Sequence, residues 1–294
     1  MDLNQDGFSD ILSGSYSRTG GKFMAGLFQV LWGTKDGKFS KAEPLKGSDG
    51  KPLVIPGEDN DSATTRICTR PFAIDWDGDG DLDIVSGNFE GTFFVFEGEG
   101  EGRFIPMGEL ITEADGKSPL KVSGAHSDPF VVDFDGDGDL DIVSGSGQGG
   151  VQLARNEADK GQAPAFKGFE EIVKAGGRSG DELFKPGELP GSPGRSTRVW
   201  VHDLNEDGKL DLLLGDSVRL QYPAEGLSEK EFAEKKEAWD KRMAELNKQL
   251  QAGAEKDEGR PSDELMKRYQ EHWSKRSEFV KEDSTGFVWA CLGK

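Results

Sequence analysis

The sequence predicts an all-β fold: a β-propeller of four-stranded blades, incomplete at its N-terminus, with an α-helical hairpin inserted in the last of four recognisable repeats. Three observations predict it. The pattern D-x-[DN]-x-[DN]-G-x-x-D occurs four times, at residues 2–10, 75–83, 133–141 and 203–211. Every copy runs directly into an apolar stretch (Ile11-Leu12, Ile84-Val85, Ile142-Val143, Leu212-Leu213-Leu214), and a glycine then opens a second apolar run. The 294 residues include 41 Gly, which suits many short strands joined by tight turns.

The motifs divide the chain into repeats of about 1–60, 61–120, 121–190 and 191–294. In three of them a strand A leads into the motif: Pro71–Asp75, Pro129–Asp133 and Arg198–Asp203. Strand B is the apolar stretch behind the motif. Strand C follows a glycine, at Gly26–Trp32, Gly91–Phe96, Gly150–Ala154 and Gly286–Leu292. Strand D is predicted at Lys38–Glu43, Arg103–Ile105 and Ala165–Lys167, reached through turns such as Lys35–Lys38. Four-stranded sheets repeated along a chain are the mark of propeller blades. The first repeat lacks strand A and the last ends after strand C. The expectation is a truncated reading frame with more repeats upstream, or a propeller that closes imperfectly.

Calcium explains the spelling of the motif. It is a hard cation that takes six to eight oxygen ligands, shared among carboxylates, carbonyls and water. Oxygen side chains at positions 1, 3 and 5 converge if the chain curls, and Gly at position 6 permits the positive φ of a sharp turn. In an EF-hand the closing acid stands at position 12. Here position 12 holds Ser13, Ser86, Ser144 and Leu214, while position 9 is always Asp. The loop is therefore shorter than an EF-hand and leads into a strand.

The predicted ligands are the side chains of Asp2, Asn4, Asp6 and Asp10; Asp75, Asp77, Asp79 and Asp83; Asp133, Asp135, Asp137 and Asp141; and Asp203, Asn205, Asp207 and Asp211. Position 7 adds backbone carbonyls from Phe8, Asp81, Asp139 and Lys209, for up to four Ca2+. Turn chemistry alone could account for one copy. Four copies in one register, all with oxygen at positions 1, 3, 5 and 9, favour calcium. Without a cation, five Asp in nine residues repel one another, so an empty loop is an unstable one. Loops two and three are expected to bind more tightly than loops one and four, which carry Asn at position 3.

Loops of this spelling backed by apolar strands resemble FG-GAP/VCBS-type repeats, related to the calcium-loop blades of integrin α-subunit propellers. The resemblance covers nearly the whole chain apart from about residues 224–285, although no repeat has the Gly-Ala-Pro of the name-giving motif. It implies propeller blades with structural calcium in their A–B loops.

Residues 224–285 read as an antiparallel helical hairpin. Ser228-Glu-Lys-Glu231 is a capping box. Phe232, Trp239, Met243, Leu246 and Leu250 form a narrow apolar stripe. Gly253 to Gly259 breaks the helix, and Ser262 starts a second one with Leu265, Tyr269 and Trp273 at spacings of four. Either the two stripes zip to each other, or the hairpin serves as a lid or docking arm.

The net charge is −19, and the four motif windows hold 17 of the 55 Asp and Glu. Four Ca2+ would add +8 and leave about −11. The balance argues against nucleic acid as a partner. No stretch is apolar and long enough to span a bilayer, and Met1 precedes the first motif with no signal peptide between. Cys68 and Cys291 read as buried free thiols.

Strand alternation places the A–B loops on one face and the D–A and B–C loops on the other. On that second face fall Arg66, Arg70, His126, Arg195 and Arg198, a candidate site for an anionic ligand such as a sugar acid or a carboxylate-bearing peptide. The alternative is pairing with nearby acids such as Glu58, Asp59 and Asp61. No nucleophile–base set stands out, and His126, His202 and His272 lack zinc spacing.

The expected function is a non-enzymatic, calcium-stabilised propeller, exported to an extracellular, periplasmic or cell-surface location where millimolar calcium fills weak sites. It would act there as a monomeric binding or adhesion module for a protein or glycan. One alternative is a carbohydrate-active lyase or hydrolase, working on acidic polysaccharide at the Arg-bearing face. Another is a scaffold that docks a protein through the helical hairpin.

Overall fold

The computed structural model describes residues 1–17, 24–57, 63–158, 162–176, 183–185, 187–256 and 262–293. Four antiparallel sheets follow one another along the chain as β-propeller blades. The first has three strands, β1 (Ile11–Gly14), β2 (Phe28–Leu31) and β3 (Glu43–Pro44). The second contains β4 (Arg70–Ile74), β5 (Asp83–Gly87), β6 (Phe93–Phe96) and β7 (Glu109–Leu110). The third repeats it with β8 (Asp128–Val132), β9 (Asp141–Gly145), β10 (Val151–Ala154) and β11 (Glu170–Val173). The fourth contains β12 (Arg195–His202), β13 (Asp211–Pro223), β14 (Val280–Thr285) and β15 (Val288–Cys291).

One register recurs. Ile74 opposes Asp83, Val132 opposes Asp141 and His202 opposes Asp211. In blades 2–4 the last Asp of the motif is therefore the first residue of strand B and the motif is the turn of an A–B hairpin, while in blade 1 strand B starts at Ile11, one residue after Asp10.

Strand D departs from the sequence reading. It lies at Glu43–Pro44, which overlaps the predicted segment only at Glu43, and at Glu109–Leu110 and Glu170–Val173, beyond the predicted segments. Phe39 makes an isolated bridge to Gly33, Phe104 makes bridges to Gly98 and Gly47, and Phe166 makes bridges to Asn156 and Glu113, none of them part of a strand. Phe104 and Phe166 turn inward to the cores between blades, so the aromatic leaves the sheet before strand D pairs.

Side-chain alternation gives each blade two apolar faces. A leading face packs on the trailing face of the next blade. Phe28 and Val30 of blade 1 meet Ile84, Phe94 and Phe96 of blade 2. Val85, Phe93 and Val95 of blade 2 meet Val131, Ile142 and Ala154 of blade 3. Phe130, Val143, Val151 and Leu153 of blade 3 meet Val201, Leu212 and Leu214 of blade 4. Burying each large apolar side chain is worth about 1.5–3 kcal/mol, so these three junctions dominate the cohesion of the blades.

Each junction is also fitted by a glycine at the end of strand B. A Cβ on Gly14, Gly87 or Gly145 would lie 1.8, 2.3 or 2.1 Å from the carbonyl oxygen of Thr69, Ser127 or Thr197; Thr69 and Ser127 stand just ahead of β4 and β8, and Thr197 lies in the register shift within β12. Only glycine allows that approach.

Residues 218–285, with 178–190, form a second compact unit. The insertion begins earlier than the predicted residue 224, because Val218–Pro223 of β13 continue as a strand paired with β14. Two helices follow, α1 (Glu229–Lys256) and α2 (Asp263–Ser274). The capping box is present: the Ser228 N–H donates to Glu231 Oε2 at 2.9 Å and the Glu231 N–H to Ser228 Oγ at 3.3 Å. Ser262 caps α2 through the Leu265 N–H.

The two stripes do zip together. Trp239 stacks on His272 and meets Trp273 edge-on, and its Nε1–H donates to the His272 carbonyl at 3.0 Å. Met243 and Leu246 are buried. The first helix runs through Gly253 to Lys256, past the expected break, and the rest of that break lies outside the described residues. Among the described residues no helix is long and apolar enough to cross a membrane.

Candidate metal centre

Each A–B hairpin closes through two left-handed residues. Gly at position 6 was expected: Gly7, Gly80, Gly138 and Gly208 have φ of 89°, 99°, 98° and 85°. Position 4 is left-handed as well, with Gln5 at 59°, Gly78 at 79°, Gly136 at 81° and Glu206 at 62°. These turns aim backbone N–H groups at the first acid. Asp75 accepts from Gly78 at 2.8 Å and Gly80 at 3.1 Å, and Asp133 from Gly136 at 2.7 Å and Gly138 at 3.1 Å. In loops one and four the Gly7 and Gly208 N–H groups donate to Asp2 and Asp203, each at 2.8 Å.

The position 9 aspartates are anchors as much as candidate ligands. Asp10, Asp83, Asp141 and Asp211 are buried. One carboxylate oxygen of each accepts the position 2 N–H, from Leu3, Trp76, Phe134 and Leu204 at 2.8, 2.6, 2.9 and 2.9 Å. The other accepts the N–H of a residue just past strand C: Gly33 at 2.7 Å, Gly98 at 2.6 Å, Asn156 at 2.8 Å or Gly293 at 2.7 Å. One side chain thus pins the hairpin to the third strand in all four blades. The motif reading missed this, although Gly or Asn two residues beyond strand C recurs in every repeat. Burial raises the Asp83 and Asp141 carboxyls above the ordinary range; the amide donors oppose this, and the neighbouring loop aspartates add to it.

In loops two and three the acids converge. One carboxylate oxygen from each of Asp75, Asp77 and Asp83 lies within 4.8 Å of the others, and Asp133, Asp135 and Asp141 repeat the arrangement. Oxygens so spaced can all touch one ion at the 2.3–2.6 Å of calcium ligation, and an all-oxygen donor set is the one calcium prefers. Asp79 and Asp137 accept the Asp81 and Asp139 N–H groups at the rim. In loops one and four the Asn4 and Asn205 amides donate instead to Asp6 and Asp207, at 3.1 and 3.2 Å.

The two Asp-rich loops have different neighbours, which the motif alone does not show. Directly after strand C stands Glu97 in blade 2 and Arg155 in blade 3. Arg155 bonds Asp135 and Glu170, both at 3.0 Å.

At the opposite end of the A strands the predicted arginines are only partly assembled. Arg70 and Arg198 approach the same oxygen of Asp128, at 3.4 and 3.6 Å. Asp128 was not foreseen, yet all three residues share one register position, opposite Gly87, Gly145 and Gly215. Burial pushes the Asp128 carboxyl up to about 6, against the pull of Arg70. His126 is held below its usual range by burial and by Arg70. Arg66 is buried, and Arg195 is exposed beyond a register shift that contains left-handed Ser196 at 52°. The acids expected as partners, Glu58, Asp59 and Asp61, lie outside the described residues. Cys68 and Cys291 are free thiols, the first buried and the second half-buried.

Acidic A–B hairpins on repeated four-stranded blades define a repeat β-propeller protein. Residues 75–144 and 133–214 match the model of the FG-GAP-like repeat. Comparison with curated proteins returns no match.

Proposed function

We propose that the A–B loops hold Ca2+ and that the chain is a calcium-stabilised, non-enzymatic binding module that works outside the cell. One observation carries the reading: the carboxylate oxygens at positions 1, 3 and 9 of loops two and three lie close enough for one ion to reach all three. When bound, the ion would supply the positive charge that these loops lack. Export and adhesion follow from the calcium economy of compartments, since loops of modest affinity fill only at millimolar levels.

The test is a thermal melt in excess calcium and in chelator, with a count of bound metal. The expected outcome is up to four ions per chain and a large fall in melting temperature on chelation. Ligand at about 100 times its Kd stabilises the native state by about 2.7 kcal/mol per site. An unchanged melt with no bound metal would reduce the loops to turns.

A second reading, binding or turnover of an acidic polysaccharide at the Arg end, draws on Asp128. An acid that titrates near pH 6 between two arginines suits proton transfer. Unchanged binding of an acidic glycan by the Arg70→Ala/Arg198→Ala variant ends that reading.

A further inference from the structure

A cavity of about 270 Å3 lies where β2 and β3 of blade 1 meet the C–D turn of blade 2. Its walls are fixed by backbone bonds. The segment Lys46–Pro52 doubles back on itself through a bridge between those two residues, with the Gly47 N–H on the Lys51 carbonyl and the Gly50 N–H on the Gly47 carbonyl, both at 2.9 Å. The Ser48 N–H then donates to the Phe104 carbonyl at 2.9 Å, which ties this wall to blade 2. Facing it stands Trp32, its Nε1–H bonded to Glu43 Oε1 at 2.8 Å. Gly102 lets the turn of blade 2 approach the indole: its φ is 71°, and a Cβ there would lie 2.8 Å from the tip of the Trp32 ring. A ligand would therefore meet a site already formed, which lowers the ordering cost of binding.

The lining fits a small hydroxylated anion. Trp32 and Pro44 offer an apolar side. Lys46 and Arg103 set two cations at the cavity on a chain of net charge −19. Arg103 bonds Glu101 at 2.7 Å, but both side chains are exposed, and such a pair competes weakly with a charged ligand. Among the described residues Lys46 has no ion-pair partner. Glu43 keeps a second carboxylate oxygen for a donor, and Ser48 adds a hydroxyl. Drug-sized sites begin at about 300 Å3, so this space takes a single ring. The occupant that uses all of these groups is a sugar ring with a carboxylate. Its C–H face lies on the indole, its carboxylate meets Lys46 and Arg103, and its hydroxyls meet Glu43 and Ser48.

We propose that the cavity between Trp32, Lys46 and Arg103 binds one hexuronate unit. The site is separate from the Arg end of the A strands and from the calcium loops, since neither Arg70, Arg198 nor any motif acid lines it.

Nitrogen–proton correlation NMR on the full chain in excess calcium tests this, with sodium glucuronate, glucose and sodium acetate titrated at constant ionic strength. The indole N–H signal of Trp32, identified by its loss in Trp32→Phe, should shift saturably with glucuronate at a Kd on the order of 1 mM, the reach of a single small ring. Glucose lacks the carboxylate and acetate lacks the ring, so each should bind roughly tenfold more weakly. Lys46→Ala/Arg103→Ala should weaken glucuronate by a similar factor. Both side chains are exposed, so the fold should survive, and an unchanged melt confirms it. Arg70→Ala/Arg198→Ala should leave the titration as it was. A Trp32 signal that glucuronate does not move would overturn the proposal, as would acetate or glucose binding equally well. So would binding that survives Lys46→Ala/Arg103→Ala. Binding lost in Arg70→Ala/Arg198→Ala instead would overturn it too, and would give the ligand to the Arg end.

Discussion

The two ends of the A strands handle buried negative charge in opposite ways. Arg70, Asp128 and Arg198 each stand five residues ahead of Asp75, Asp133 and Asp203, so one strand carries both solutions. At the Arg end the fold supplies its own cations to Asp128. At the loop end Asp75, Asp77 and Asp83 converge with backbone N–H groups as their donors, and amide dipoles do not cancel whole charges. The scaffold is the same. One end should therefore depend on ions in solution and the other on pH. Loop three mixes the two solutions, because Arg155 brings an internal cation to Asp135.

The largest effect should come from the anchors of the loop end. Asp83→Ala or Asp141→Ala leaves two buried N–H groups without an acceptor, at a cost of about 1–3 kcal/mol each. The loss should be about 2–5 kcal/mol in chelator and greater in calcium, read by denaturant unfolding. Asp75→Asn should behave differently, abolishing much of the calcium-dependent gain while changing the chelated protein little. Equal losses in both media for Asp75→Asn would show that the first acid is an anchor too.

The Arg end should answer to pH. A folded pKa of about 6 against an unfolded value near 3.8 means that between those values the folded state holds a proton that the unfolded chain has lost. Stability from Asp128 is therefore present at low pH and falls as pH rises from about 4 to about 6, by at most about 3 kcal/mol. Measured as the difference between the native chain and Asp128→Asn, other carboxylates cancel. The native chain should lose ground to the variant as pH rises. A flat difference would mean that Arg70 and Arg198 compensate the charge in full.

Within the loop end, Arg155 should weaken cation binding at loop three. Arg155→Ala should raise the affinity of that loop severalfold, and Glu97→Arg should lower that of loop two by a similar factor, since one nearby partly exposed charge is worth up to about 1 kcal/mol. Terbium titration separates the sites, because Trp76 in loop two can sensitise emission and Phe134 in loop three cannot. Equal affinities before and after either change would show that the neighbour beyond strand C is too well solvated to matter.

The blades, the motif turns and the convergence of acids in loops two and three were legible in the sequence because each depends on local chemistry that repeats. Strand D was not, because Phe104 and Phe166 answer to the core between blades rather than to their own sheet. Asp128 escaped notice because its partners, Arg70 and Arg198, come from the blades on either side. They become neighbours only once the A strands are laid side by side.

The smallest effect concerns position 4, where two loops use glycine and two do not. A side chain held at positive φ costs about 1–2 kcal/mol, while glycine loses more entropy on folding. Glu206→Gly should therefore gain up to about 1 kcal/mol in chelator, and Gly136→Ala should lose a similar amount. Gln5→Gly is a poorer probe, because Gln5 Nε2 also bonds the Gly80 carbonyl at 3.3 Å and Asp81 at 3.0 Å, tying loop one to loop two. If Gln5→Gly loses stability where Glu206→Gly gains it, that tie outweighs the backbone strain. If both lose, the left-handed residue at position 4 is not strained, and the preference for glycine in the two Asp-rich loops must come from their charge.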